Sequence, residues 1–337
     1  MRQETRVLFT NYIQHQAEMN GIPLEHMSAQ FAVAPTPAQN LETAIQESSD
    51  FLKKINIIGV DEGEGEALLL GLQGSIAGRT NTAGNNRRHP SDHSKLTKDS
   101  YNCKKTDFDS GFPYALVDQW GKFPDFQVRL SGAIAQRHGL DRIMIGFNGT
   151  SAAAQTDRST NPLLQDVNIG WLQKMRTSAP ARVMSEGAAA DKVTLGATGD
   201  YKTLDGLVYD AKQLLDEWHK NHPELVVVLS RDLLHGRFMS ALDKGGDSNV
   251  EDESAERILS RSRLGGLPIV DAPFFPDGTV LVTTLNNLSI YYQNGTRRRH
   301  VKDEPEYNRV ADYQSSNEAY VIEDFGLAAL VENIEAV

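Results

Sequence analysis

Residues 59–108 read GVDEGEGEALLLGLQGSIAGRTNTAGNNRRHPSDHSKLTKDSYNCKKTDF, and this stretch decides what kind of fold the chain can have. Seven glycines fall between Gly59 and Gly84, and the tip, NTAGNNRRHPSDH from Asn81 to His93, is almost wholly polar. The flanks, Ala67 to Ile76 and Tyr101 to Phe108, read as extended. The whole is a two-armed excursion with too few large apolar side chains to build a core of its own. Loops beyond about 15 residues are uncommon in compact domains and are usually functional or disordered. An isolated two-stranded ribbon is marginal in water. The arm is therefore either disordered or laid on a neighbouring chain.

N-terminal to it, Glu4 to Met19 reads as a helix, with Leu8, Tyr12 and Met19 at helical spacing and Gly21-Ile22-Pro23 as a stop. A short piece, Leu24 to Phe31, leads into the stiff linker Val33-Ala34-Pro35-Thr36-Pro37. Thr36 is placed to cap a further helix with Pro37 in its first turn and Leu41, Ala44, Ile45 and Leu52 along one face. The first thirty-odd residues thus look detachable, an ordinary docked terminal helix being the alternative.

C-terminal to the arm, Pro124-Asp125 opens a helix that runs to Phe147, with Phe126, Leu130, Ala133, Leu140, Met144 and Phe147 on a stripe interrupted by Arg137. At 1.5 Å per residue it spans roughly 33 Å, enough for a spine, although a plain core helix has the same periodicity. From Asp200 helices and strands alternate. Leu204 to His219 reads as a helix, Leu225 to Leu229 as a buried strand, and Ser230 as the cap of a helix through Leu242. An acidic loop, Gly245 to Glu256, follows, then a strand from Val280 to Leu285. Leu288–Gln293 and Thr296–Val301 flank Asn294-Gly295, a strong hairpin signal. Glu318–Asp324 and Leu327–Ile334 are extended. The fold class is α+β, and nothing repeats at a solenoid period.

The 337 residues suffice for one large or two ordinary domains. With 34 Lys+Arg against 45 Asp+Glu, the net charge of −11 argues against a tight sequence reader of DNA, though not against a protein that encloses DNA without gripping it. The single Cys103 excludes an intrachain disulfide. The N-terminus has no signal-peptide core, and no stretch approaches the roughly 18 apolar residues of a membrane span, so the cytoplasm is the expected compartment.

No catalytic constellation is recognisable, and no metal or cofactor is expected. Gly63-Glu64-Gly65 superficially resembles a phosphate loop, yet Asp61, Glu62, Glu64 and Glu66 would repel a pyrophosphate. His89 and His93, with Cys103 as a third ligand, lie on a proline-containing loop with no fixed face. His219 and His222 close a helix, where imidazoles favour the negative end of the macrodipole. Ser230 lacks the flanking glycines of a nucleophile elbow. Arg297-Arg298-Arg299-His300 is followed at once by Asp303, Glu304 and Glu306, which reads as a solvated charged strand. A cytosolic α/β enzyme with a ligand at Ser230 to His235 is the reading from another class.

The chain as a whole resembles the major capsid proteins of Peduovirus (P-two) type tailed bacteriophages. The resemblance runs through MRQETR (1–6), QESSDFL (46–52), DFQVR (125–129) and GFNG (146–149), and is densest in DRSTNP (157–162), LQDV (164–167), GWLQK (170–174) and APARVMS (179–185). It resumes at LSIYY (288–292) and YVIED (320–324). It implies the Johnson, Hong Kong ninety-seven type fold, which encapsulins share: an N-terminal scaffold-like segment 1–31, an N-arm 32–60, an extended β-hairpin loop 61–108 and an axial domain 200–273. A peripheral domain would comprise 109–199 and 274–337, with the spine helix at 124–147. It also implies removal of the first segment by a maturation protease near Phe31, and a loop carrying Asn81, Arg87, Arg88 and His93 onto a neighbouring subunit. The implied assembly is of hexamers and pentamers into an icosahedral virion shell around double-stranded DNA, with a portal protein, and is built in the host cytoplasm. An encapsulin-like compartment is the alternative container. Two departures from the pattern are the glycine- and leucine-rich loop stem and an end at Val337, where such relatives continue into a tail.

Overall fold

The polar run Asp312 to Asn317, for which the sequence alone assigns no element, lies inside the longest strand among the described residues. The computed structural model describes residues 1–72, 79, 94–120, 126–236 and 263–337. Strand β15 (Arg309–Ile322) is the axis of a seven-stranded sheet. On one edge it pairs with β13 (Leu288–Gln293) and β14 (Arg298–Glu304), and on the other with β5 (Lys104–Asp107) and β6 (Ser110–Pro113). β2 (Asn56–Val60) runs parallel to β13, and β1 (Phe31–Ala32) closes the far side against β14. Most of these polar residues are buried, and partners satisfy them. Arg299 holds Asp312, Gln314 donates to Asp312, Ser316 donates to Glu318, and Asn317 donates to Gln293.

Asn294-Gly295 does not make a hairpin. β13 and β14 follow one another along the same edge of β15: Tyr292 faces Glu318 and Arg298 faces Ser315, so six residues cover three. The surplus forms a bulge at Gly295, whose φ of +72° suits glycine. The hairpin is instead β14–β15, turned by Pro305–Tyr307 with Asn308 at φ +52°.

Helices α2 (Pro35–Glu47), α4 (Phe126–Asn148) and α5 (Trp171–Ser178) meet the sheet in the main core, where Ile45, Leu52, Ile143, Phe147 and Trp171 enclose Leu288, Ile290 and Tyr320. α2 begins at Pro35, one residue before Thr36, and no side chain caps it; the fixed φ of proline at the first position and its missing N–H replace that cap. Along α4 the expected stripe is only half right. Ala133 and Arg137 are exposed, while Ile134, Ala135, His138 and everything from Arg142 to Phe147 is buried, because α5 and the sheet wrap the C-terminal turns. The charge inside the core is Arg142, not Arg137, which pairs with Asp141 on the surface.

A second sheet runs β10 (Arg263–Leu264), β11 (Leu267–Val270), β9 (Val226–Leu229), β12 (Val280–Thr283), β16 (Ala329–Val331), β7 (Val183–Met184). Against it lies α6 (Leu204–Gln213), burying Leu204, Leu207, Val208 and Ala211 on Val227, Leu229 and Val282. β8 (Val193–Leu195) and β17 (Ile334–Ala336) form a separate parallel pair. α6 stops six residues before His219, because Arg182 takes the Leu214 carbonyl at 2.6 Å and pairs with Asp216. His219 therefore closes no helix and instead sits 2.9 Å from Asp324. Ser230 precedes the helical turn 231–236, but its buried hydroxyl has no partner among the described residues; its carbonyl, not its side chain, serves that turn by accepting from Leu234.

Candidate assembly surfaces

The glycine-rich excursion is an antiparallel ribbon of β3 (Glu64–Leu72) and β4 (Ser94–Asn102), nine residues a side, in register from Glu64–Asn102 to Leu72–Ser94. Among the described residues these strands pair only with each other. The stem is anchored at its base, where the Cys103 N–H donates to the Gly63 carbonyl at 2.7 Å and Tyr101 packs edge-on against Tyr291 at 5.1 Å. The tip residues Asn81, Arg87, Arg88 and His93 lie outside the described residues, as do His89 and the acidic loop 245–256.

A buried four-charge network joins the elements behind the ribbon. Arg142 on α4 donates to Glu42 on α2 at 2.7 Å and to Glu318 on β15 at 2.7 Å, and Arg297 also binds Glu42. Burial acts to raise the Glu42 pKa, but the Arg142 and Arg297 guanidinium groups outweigh it and leave it below the usual carboxylate range. Burial, with Arg142 and Arg297 adding to it, pushes His138 down to about 3, so this imidazole, tilted against the Phe108 ring at 4.3 Å, is neutral. Two of the three consecutive arginines are thus structural rather than solvated. Arg297 reaches Glu42, and Arg299 reaches Asp312, because alternate residues along an extended chain face the same way.

The N-terminal helix α1 (Gln3–Asn20) lies across β14 and β15 and is docked, not loose. Tyr12 and Gln16 accept hydrogen bonds from Arg299 at 2.5 and 2.9 Å, and Asp118 accepts from the Arg2 N–H at 2.8 Å. Phe9 and Tyr12 face Val117, Leu130, Ile134, Val301 and Val310. Ala17, Met27 and Phe31 form a small cluster beyond. Beside the spine helix lies a groove of about 590 Å³, whose wall mixes Lys105, Arg137 and Arg158 with Asp107, Asp109 and Asp141.

The sites weighed for chemistry do not come together. Gly63-Glu64-Gly65 enters a strand instead of a helix N-terminus. Cys103 is buried, and burial followed by the Glu318 charge lifts its pKa to about 11, a poor nucleophile. Among the described residues no three metal-ligating side chains gather, and no helix is long and apolar enough to cross a membrane. Sequence reading missed Glu42, Arg142 and Glu318. The available signal was an arginine directly before the apolar run Ile143-Met144-Ile145.

A long helix packed on a seven-stranded sheet, a second sheet with its own core and a two-stranded ribbon paired only with itself among the described residues make up the fold of tailed-phage capsid proteins. The capsid of an empty GTA particle shares that fold with a TM-score of 0.53 at 16% identity, over 86% of this chain and 90% of that one. Over residues 8–334 the sequence matches the family described as Phage major capsid protein, P2 family, and the chain belongs to that family. It is 45% identical to the capsid proteins of Escherichia phage P2 over 99% of this chain and 96% of that protein. It is 44% identical to the major capsid protein of Serratia phage KSP20, over 99% and 97%. A chain in the procapsid of satellite phage P4, a structure that includes size determination (Sid) protein, matches with a TM-score of 0.80 and 42% identity over 100% and 99%. The protein is a structural component of the phage virion shell.

Proposed function

We propose that copies of this chain assemble as hexamers and pentamers into an icosahedral head around double-stranded DNA, each ribbon lying over a neighbouring subunit. The carrying observation is the ribbon. Two strands of nine residues are about 30 Å long, and two-stranded pairs are marginal in water alone. Their stabilising surface is a second copy, contacted through Asn81, Arg87, Arg88 and His93. Interfaces of this obligate kind bury on the order of 2,000–5,000 Å², and they use two different patches per subunit. The net charge of −11 suits an inner wall that does not grip DNA.

In this reading residues 1–31 are an internal scaffold-like segment, cut near Phe31 by a phage maturation protease, and 32–60 are the arm that stays. Residues 200–273 form the axial domain, 109–199 with 274–337 the peripheral domain, and 61–108 the intersubunit loop. A portal protein occupies one vertex, and assembly takes place in the host cytoplasm. Negative-stain microscopy of the purified chain tests this: closed shells of uniform size are expected, and a population of compact monomers that never associates contradicts it.

A further inference from the structure

We propose that Arg299 latches the N-terminal arm and so keeps the chain around Phe31 closed to proteolysis until α1 lifts from the body. The inference rests on the reading above that the arm is removed near Phe31, and adds what controls the cut. Phe31 is buried and belongs to β1, where it is paired with Arg299 of β14; Ala32 is paired with Arg298. The next residues are held too: the Val33 N–H donates to the Arg297 carbonyl at 3.0 Å, and the Ala34 N–H to the Asn20 side chain at 3.0 Å. A protease must take several residues of extended chain into its cleft. A segment already paired in a sheet and facing a core is cut only from an opened state.

Arg299 grips the arm twice. Its backbone faces Phe31, and its guanidinium donates to Tyr12 and Gln16 on α1. Asp312 fixes that guanidinium from the other side, at 3.0 Å to Nε and 2.7 Å to Nη2, so the fork is already oriented when α1 arrives. Elsewhere α1 is held by the half-buried Phe9 and by the Arg2 N–H bond to Asp118, but most of its surface is open. Only Thr5, Tyr12, Gln16 and Ala17 of its 18 residues are buried, and Val7 and Met19 are exposed. Asn20, at the last turn of α1, carries the hold onward to Ala34, so α1 and the strand at Phe31 open together. Loss of the arm leaves the Arg299–Asp312 pair and the apolar side chains of Val301 and Val310 uncovered on the body.

The test is limited chymotrypsin digestion of the purified full chain, read by intact mass as the product that begins at Ala32. The variant Tyr12→Phe with Gln16→Ala removes both acceptors and leaves Arg299 and Asp312 paired, so the body stays folded. Its cut after Phe31 is expected to be about tenfold faster or more, with cutting at the exposed Trp218 unchanged. Equal rates after Phe31, or a rise at Trp218 of the same size, overturns the latch. The N-terminal residue of the protein in mature particles judges the processing reading separately, and an intact Met1 there sinks that reading whatever the digestion shows.

Discussion

Arg142 and Glu318 meet at 2.7 Å with neither side chain open to solvent, and the same guanidinium holds Glu42 from the other side. Three elements distant in sequence, α2, α4 and β15, are fastened at one atom group. Removing the cation leaves two buried carboxylates with Arg297 on Glu42 and the Ser316 hydroxyl on Glu318. Arg142→Met is therefore expected to cost about 3–5 kcal/mol of folding stability, measured by urea denaturation of the subunit. A loss below about 1 kcal/mol would mean that the network is solvated.

His138 gives the fold an acid sensitivity that begins well above the carboxylate range. Its folded pKa is depressed from 6.5 to about 3, chiefly by burial. The unfolded chain therefore takes up a proton from about pH 6.5 downward while the folded chain does not. The stability is complete above that pH and is lost as pH falls towards 3. Between pH 7.5 and 5 this one group is expected to remove about 2 kcal/mol. Glu42, held below its usual range, adds a further loss only at more acidic pH. Urea midpoints at the two pH values check this, and His138→Gln is expected to flatten the difference; an unchanged pH slope in that variant contradicts the assignment.

Gly146 shows how closely the spine helix and α5 approach. A Cβ there would stand 2.2 Å from the Trp171 ring, which is itself fixed by Phe147, Tyr320 and an N–H bond of 3.0 Å to the Ser289 carbonyl. Glycine to alanine inside a helix normally gains up to about 1 kcal/mol. Here Gly146→Ala is expected to lose about 1–3 kcal/mol through overpacking, seen as a lower melting temperature. Gly146→Ala combined with Trp171→Leu is expected to cost less than the sum of the two single changes. A stabilised Gly146→Ala chain would show that the contact yields.

The parts of the fold legible in the sequence were those written in local signals. Gly21 after an amphipathic run ends α1, the β-branched Val226-Val227-Val228 makes β9, and the glycine-laden arm appears as a ribbon. Its return strand, however, is β4, and the Lys104–Asp107 part of the expected flank Tyr101–Phe108 enters the large sheet as β5. What escaped reading was written in long-range pairing. Asp312 to Asn317 carries no local strand signal, and its place in β15 shows only once Arg299 arrives from elsewhere to satisfy Asp312. Asn294-Gly295 has the local chemistry of a hairpin, but the neighbouring strand β15 is long enough to pair on both sides of it, so the surplus bulges. The helix expected to end at His219 is cut short by Arg182, 32 residues before the Leu214 carbonyl it takes. Pairing between distant segments is the common cause, since nothing in a local window shows which strand or which arginine will arrive.

The central claim is that the ribbon serves the assembly and not the subunit. Its strands pair only with each other among the described residues, while the main core lies behind it in α2, α4, α5 and the large sheet. The direct measurement compares the intact chain with one lacking residues 81–93, by electron microscopy for particles and by thermal denaturation for folding. The shortened chain is expected to melt within about 2–4 °C of the intact one, the shift of a change near 1 kcal/mol in a protein this large, and to form no closed shells. Intact shells from the shortened chain, or a subunit that no longer folds, would contradict the account.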